Sequence, residues 1–175
     1  MSSEIRCVCL DVDGVLTDGH VYVDDAGRGL RAFHVHDGFA IRWYQELGGV
    51  VVICSGKRSD AVAARAAELG IEYVVQGSTN KVADLEAALS PLGLGFEHVA
   101  MIGDDLPDLP VMLRCGYPIA VANAVEEVKA AAQLVTERSG GAGAVREALE
   151  HLLRRRGRWA DVIAKYGGAA PSRQG

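Results

Sequence analysis

Six short apolar runs punctuate the chain, at residues 7–10, 50–54, 73–75, 99–102, 119–121 and 134–135. Within each run hydrophobicity is nearly continuous rather than alternating, the pattern of strands buried on both faces of a parallel sheet. Helical patterns fill the intervals. One is expected to start at Asp37 as N-cap, with Phe39, Trp43 and Leu47 on one stripe and Gly48 at its end. Ser59 is placed to cap a second helix that runs to Leu69, and Asn80 a third that stops near Pro91. A fourth follows Asp108, a fifth covers about 125–132, and the last carries Val145, Leu149, Leu152 and Leu153 at core spacing. This β-α alternation predicts an α/β fold, a doubly wound, Rossmann-like and mostly parallel sheet.

One segment breaks the rhythm. Residues 20–24 and 30–36 both read as strands, joined by the turn-rich Asp25-Ala26-Gly27-Arg28-Gly29. A β-hairpin inserted over about 19–36, directly after the first strand, is the expectation. His34 and His36 alternate on its second strand and so point the same way. With no internal repeat and no linker, residues 1–175 read as a single domain, with a flexible tail from about 157 onward.

Bulk properties narrow the function. A net charge of −5 argues against a general nucleic-acid binder and suits an enzyme of small molecules. No apolar run approaches the roughly 20 residues that span a bilayer. The first residues enter an apolar strand at once, which predicts no signal peptide and a cytoplasmic location. Cys7, Cys9, Cys54 and Cys115 lack zinc-knuckle spacing and read as small buried hydrophobes. The basic run Arg154-Arg155-Arg156, with Arg158, reads as a solvated helix end.

The chemistry lies where ligands collect on such a sheet, at the carboxyl ends of the strands. The first run ends in Asp11-Val12-Asp13-Gly14-Val15-Leu16-Thr17-Asp18, the second in Ser55-Gly56-Lys57-Arg58, and the fourth in Gly103-Asp104-Asp105-Leu106-Pro107-Asp108. Lys81 opens the helix after the third. Several carboxylates on one rim repel one another. A hard divalent cation relieves that repulsion, and an all-oxygen site suits Mg²⁺. A carboxylate nucleophile approaching a phosphate dianion meets the same repulsion, which the cation, Lys81 and the Ser55 hydroxyl would offset. The turn at Gly14 can bring Asp13 back to protonate a leaving oxygen.

In these segments the chain resembles the haloacid dehalogenase-like phosphohydrolases. The Asp11–Asp18 stretch matches their first motif, Ser55 the second, Lys81 the third and Gly103-Asp104-Asp105 the fourth. The resemblance implies Asp11 as nucleophile and Asp13 as general acid, then base. It implies Mg²⁺ held by Asp11, the Asp13 main-chain carbonyl and Asp104, with Asp105 in support. Ser55, Gly56 and Lys81 would hold phosphate. Asp13 favours a phosphatase or phosphomutase over the transport ATPases and dehalogenases of the same superfamily.

Asp11 and Ser55 are 44 positions apart, and Lys81 and Asp104 23, too few in either interval for a cap domain. The details resemble one capless subfamily, the 3-deoxy-D-manno-octulosonate 8-phosphate phosphatases and their nonulosonate 9-phosphate relatives. Arg31-Ala32-Phe33-His34-Val35-His36-Asp37-Gly38, Gln76-Gly77-Ser78-Thr79-Asn80-Lys81 and the 140–147 segment carry that likeness. It implies a homotetramer with hairpins forming a central barrel and active sites between subunits. Sugar-acid contacts would map onto His34, Asp37, Gly38, Arg42, Lys57, Arg65 and Asp108. Asp37, Gly38, Arg42 and Arg65 agree with the octulosonate enzymes. His34, His36 and Lys57 depart from them, and Lys57 also departs from the Glu of the nonulosonate enzymes. A phosphatase or phosphomutase of another small metabolite, a non-catalytic oligomerisation domain and a phospho-accepting receiver are the competing readings. The intact motifs disfavour the last two.

Overall fold

The computed structural model describes residues 4–168. Its main sheet comprises β1 (Cys7–Leu10), β4 (Val50–Ser55), β5 (Tyr73–Gln76), β6 (Val99–Gly103), β7 (Tyr117–Ala120) and β8 (Leu134–Val135). They pair in parallel in the order β5-β4-β1-β6-β7-β8. The chain starts in the middle, winds outward to one side, then returns to fill the other. That doubly wound order reverses between β1 and β6, where such sheets open a crevice for ligands. β1 is wholly buried, flanked by Val50–Ile53 of β4 on one side and Val99–Ile102 of β6 on the other. Its uninterrupted apolar sequence is what a strand covered on both faces requires.

Helices α1 (Val35–Glu46), α2 (Asp60–Leu69), α3 (Lys81–Leu89), α4 (Leu109–Met112), α5 (Glu126–Ala131), α6 (Ala144–Arg155) and α7 (Trp159–Lys165) cover the sheet. Among the described residues no helix is long and apolar enough to cross a membrane. Asn80 caps α3 as expected, its side chain accepting from Ala83 N at 3.2 Å. Cys7, Cys9 and Cys54 lie in the core as free thiols.

Three expectations are corrected. The inserted hairpin is smaller than its sequence suggests: only β2 (Tyr22–Val23) and β3 (Gly29–Leu30) pair, in antiparallel register. The chain then turns into α1 at Val35, two residues before Asp37, so His34 and His36 stand at a helix start and not on a strand. Their rings still meet edge to face, with centroids 5.0 Å apart. The core stripe of α1 is Ala40, Ile41 and Tyr44, with Trp43 beside it, whereas Phe39 is 48% exposed and stacks on Trp43. Residues 159–165 of the expected flexible tail form α7 instead. Trp159 anchors it, buried against the Trp43 ring and the Arg146 and Arg154 guanidiniums. Residues 169–175 of that expected tail lie outside the described residues.

Asp37 does cap a helix, but a different one. The N-cap position of α6 is Gly143, which has no side chain to offer, and the Arg146 N–H donates to Asp37 Oδ1 at 2.7 Å. Burial raises the Asp37 pKa against the hydrogen bonds that favour its charged form. The contact ties α1 to α6 at the amino end of both. Asp37→Ala should therefore lose about 1–2 kcal/mol, a Tm lower by about 3–6 °C, with Asp37→Asn closer to wild type. Thermal unfolding by circular dichroism checks this, and an unchanged Tm for the alanine variant removes the capping role.

Candidate active site

The sheet brings four strand ends to one rim. Asp11 follows β1 and donates its backbone N–H to Ile102 O at 3.2 Å, so it stands level with the end of β6. Ser55 ends β4, buried, and its Oγ accepts from Lys57 N at 3.3 Å. Gly56 opens the turn that follows, and Ser78 N–H donates back to Ser55 O at 3.0 Å. Asp104 follows β6, one residue beyond Gly103.

Lys81 reaches this rim from the first turn of α3. Its Nζ lies 2.7 Å from Asp11 Oδ1 and 2.7 Å from Asp108 Oδ1, all three side chains being buried. Burial opposes the ammonium charge, but Asp11 and Asp108 together outweigh it and hold the Lys81 pKa above its ordinary range. Asp108, expected among the substrate contacts, is only 1% exposed and sits beneath the rim. Its Oδ2 accepts the backbone N–H groups of Asp104 at 3.0 Å and Asp105 at 3.4 Å, which fixes the loop after β6. Asp105, expected to support a metal, turns its side chain to Leu106 N at 2.8 Å, though its charge still bears on Asp104.

Asp11, Asp104 and Asp108 each offer a carboxylate oxygen within 4.8 Å of the other two. Burial and the neighbouring Asp108 raise the Asp11 pKa to about 6 despite Lys81. Burial and the Asp11, Asp108 and Asp105 charges raise that of Asp104 to about 7. Burial comes first in both shifts, and the repulsion among the carboxylates that one lysine leaves uncompensated adds to it. Asp104 Oδ1 is buried and has no hydrogen-bond partner among the described residues. An unsatisfied anionic oxygen beside a second carboxylate is the donor set a hard divalent cation takes.

The Asp13 side chain stands outside this trio. Its Oδ1 lies 2.9 Å from Arg31 Nε and its Oδ2 3.9 Å from Lys57 Nζ. Lys57, expected at the sugar acid, is thus placed beside the acid–base candidate. The loop that carries Asp13 is built to approach Asp104 closely. At Gly14, φ is +96°, and any Cβ would overlap the Asp104 carboxylate. Thr17, buried, accepts from Gly14 N at 3.3 Å and donates to Val12 O at 3.2 Å.

Sequence reasoning overlooked Asn123. Its Nδ2 donates to Gly14 O at 3.0 Å and its Oδ1 accepts from Gly140 N at 2.6 Å, stapling the loop before α6 onto the Asp11 loop. A side-chain amide just past the end of β7 was the available signal.

His34, Gly38, Arg42 and Arg65 form a second group, and Asp37 is occupied at α6. Arg65 pairs with Glu68 at 2.8 Å, Arg42 donates to Glu68 O at 2.5 Å, and Gly38 leaves the space the Arg65 guanidinium fills. Gly38, Arg42 and Arg65 line a shallow cavity of about 170 Å³ with the exposed Val35 and Phe39. Among the described residues no hydrogen bond or ion pair joins this group to the acidic centre.

Fold and donor set together define a haloacid dehalogenase-like hydrolase, and comparison with known proteins agrees. A family model described as haloacid dehalogenase-like hydrolase matches residues 67–149. The 3-deoxy-D-manno-octulosonate 8-phosphate phosphatase of Escherichia coli K12 is 41% identical over 157 residues, 90% of this chain and 84% of that one. The crystal structure of the Moraxella catarrhalis phosphatase of the same name superposes with a TM-score of 0.90 at 36% identity, covering 93% of each chain. That structure holds a magnesium ion, a phosphate ion and the sugar acid. The cobalt-bound phosphatase of Haemophilus influenzae gives a TM-score of 0.89 at 36% identity, over 94% of this chain and 96% of that one. The chain belongs to the haloacid dehalogenase-like phosphohydrolases, in their capless 3-deoxy-D-manno-octulosonate 8-phosphate phosphatase branch of phosphomonoesterases.

Removing the buried cation tests the electrostatics directly. Lys81→Met should lower stability by about 3–5 kcal/mol in metal-free buffer, because it strands two buried carboxylates. Millimolar divalent cation should restore much of that loss, whereas it should shift wild type less. Chemical denaturation with and without cation reads both; equal shifts in the two proteins refute the compensation.

Proposed function

We propose that the chain is a Mg²⁺-dependent phosphatase of a phosphorylated sugar acid, the octulosonate 8-phosphate by preference, acting through an aspartyl-phosphate on Asp11. One observation supports this above the rest. A buried Asp11, gripped by Lys81, faces Asp104 across the crevice where the sheet order reverses. Asp11, Asp104 and the Asp13 main-chain carbonyl would hold the metal, with Asp108 orienting the loop beneath. Bound there, the cation would neutralise the carboxylates and draw charge from the phosphoryl oxygens.

The chain's own residues supply the remaining chemistry. Lys81 keeps Asp11 ionised and oriented, and offers its remaining N–H to a phosphoryl oxygen. Ser55 Oγ and the Gly56 amide offer two further donors from the end of β4. Asp13 delivers a proton to the departing sugar oxygen as its bond to phosphorus breaks and the Asp11 oxygen bonds in its place. It then takes a proton from the water that cleaves the acyl phosphate, which returns Asp11.

The sugar acid would be held by Arg42, Arg65, His34 and Gly38 of a neighbouring subunit, since in one chain they stand apart from the acidic centre. Hairpin residues Val21, Tyr22, Val23 and Leu30 are exposed and apolar, as are Val35 and Phe39, and their burial would drive a homotetramer. The cytoplasm is the proposed location.

A panel of phosphate esters with Mg²⁺, including octulosonate 8-phosphate and nonulosonate 9-phosphate, should show phosphate release that EDTA abolishes. Asp11→Asn should reduce kcat by more than about 10⁴-fold, the order lost when a nucleophile is removed. Turnover surviving in that variant excludes the covalent route. Light scattering should give a tetramer, and Val23→Asp with Leu30→Asp should dissociate it; a wild-type monomer at micromolar concentration refutes the shared site.

A further inference from the structure

Arg31 has no part in the chemistry described so far, yet it touches the acid–base residue. It follows β3 of the hairpin directly and its side chain is only 11% exposed. Its Nε is buried and makes no linear hydrogen bond with any described residue. The Asp13 carboxylate, 2.9 Å away, is the anion that balances it. Lys57 approaches the other Asp13 oxygen more loosely, at 3.9 Å and with its own side chain 62% exposed. Asp13 itself is three-quarters covered. Among the described residues its ion pairs are with Arg31 and Lys57 alone, and the nearer cation is Arg31.

We infer that Arg31 is a positioning residue: from the hairpin it holds the Asp13 carboxylate at the angle from which a proton reaches the leaving oxygen. The inference rests on the phosphatase reading above and adds to it a link between hairpin and chemistry. The base of the hairpin is tied to the same loop, Tyr22 Oη donating to Asp18 Oδ2 at 2.5 Å and His20 N–H to Asp18 Oδ1 at 2.9 Å. Arg31 thus enters the site on a segment anchored at Asp18 and flanked by the exposed apolar Val23 and Leu30. Whatever packs the hairpin also sets Asp13.

Leaving-group dependence separates this role from a structural one. An alkyl ester such as a sugar phosphate needs a proton on its departing oxygen, whereas p-nitrophenolate leaves without one. In kcat/KM, which reports transfer to Asp11, Arg31→Met should lose about 10²-fold on the sugar phosphate and less than about 5-fold on p-nitrophenyl phosphate. KM should hold within about 2-fold, and Arg31→Lys should recover most of the loss by keeping a cation on the same oxygen. Lys57→Met should show a weaker bias of the same sign. Equal losses on both esters, or none on either, overturn the inference. Should Arg31→Met not fold, Arg31→Gln carries the same comparison, with Arg31→Lys again as the rescue. Wild-type protein that hydrolyses neither ester would instead defeat the phosphatase reading, so the two failures are distinct.

Discussion

Two buried carboxylates, one half-buried carboxylate and one buried ammonium share a single cluster, and everything at the rim of the sheet follows from that imbalance. Lys81 can pair with two of the acids at once, and it does, but Asp104 is left raised and unsatisfied. A cluster with that surplus is unstable toward protonation or toward capture of a cation. Family membership says which of the two the chain has settled on. The surplus also explains why Asp108 is buried so deeply. It fastens the loop after β6 and completes the lysine's coordination, so one residue sets both the charge and the shape of the centre.

Much of the fold was legible because continuous apolar runs of two to five residues have few alternatives once flanked by capped helices. Leu134–Val135, the shortest, was found by its place in the alternation. The hairpin was overread for the opposite reason. Tyr22, Val23, Phe33 and Val35 have high β-propensity, but an isolated two-stranded ribbon has nothing to pack against within one chain. Pairing therefore stops after two residues on each side. Trp159, Val162 and Ile163 were spaced as a helix face, a signal masked by the glycines on either side.

The site was legible in its residue types and less so in its connections. Asp11, Lys81 and Asp104 stand together as their motifs imply. Asp37 and Asp108 were recognised as polar residues at helix starts, yet the groups they satisfy lie elsewhere in the fold. Asp37 serves α6, 109 positions away, and Asp108 serves Lys81 and the backbone before it. Side-chain capping is local in sequence only when the nearest orphaned amide belongs to the same helix. Asn123 and the contact of Arg31 with Asp13 escaped notice because each joins a side chain to a backbone or carboxylate far along the chain, which no spacing rule encodes.

The crossing of the Asp11 loop with the loop before α6 has a further consequence. Gly14 lies against Asp104, and Gly140 and Gly141 lie against the Gly14 and Thr17 carbonyl groups and the Asp18 amide, with Asn123 bridging the two loops. At Gly140 and Gly141 main chain meets main chain directly. Such a junction has almost no conformational freedom left to lose when an ion settles into the cleft beside it. Arrival of the ion should then cost little ordering of the main chain, and the mouth of the site can stay open without the floor becoming loose.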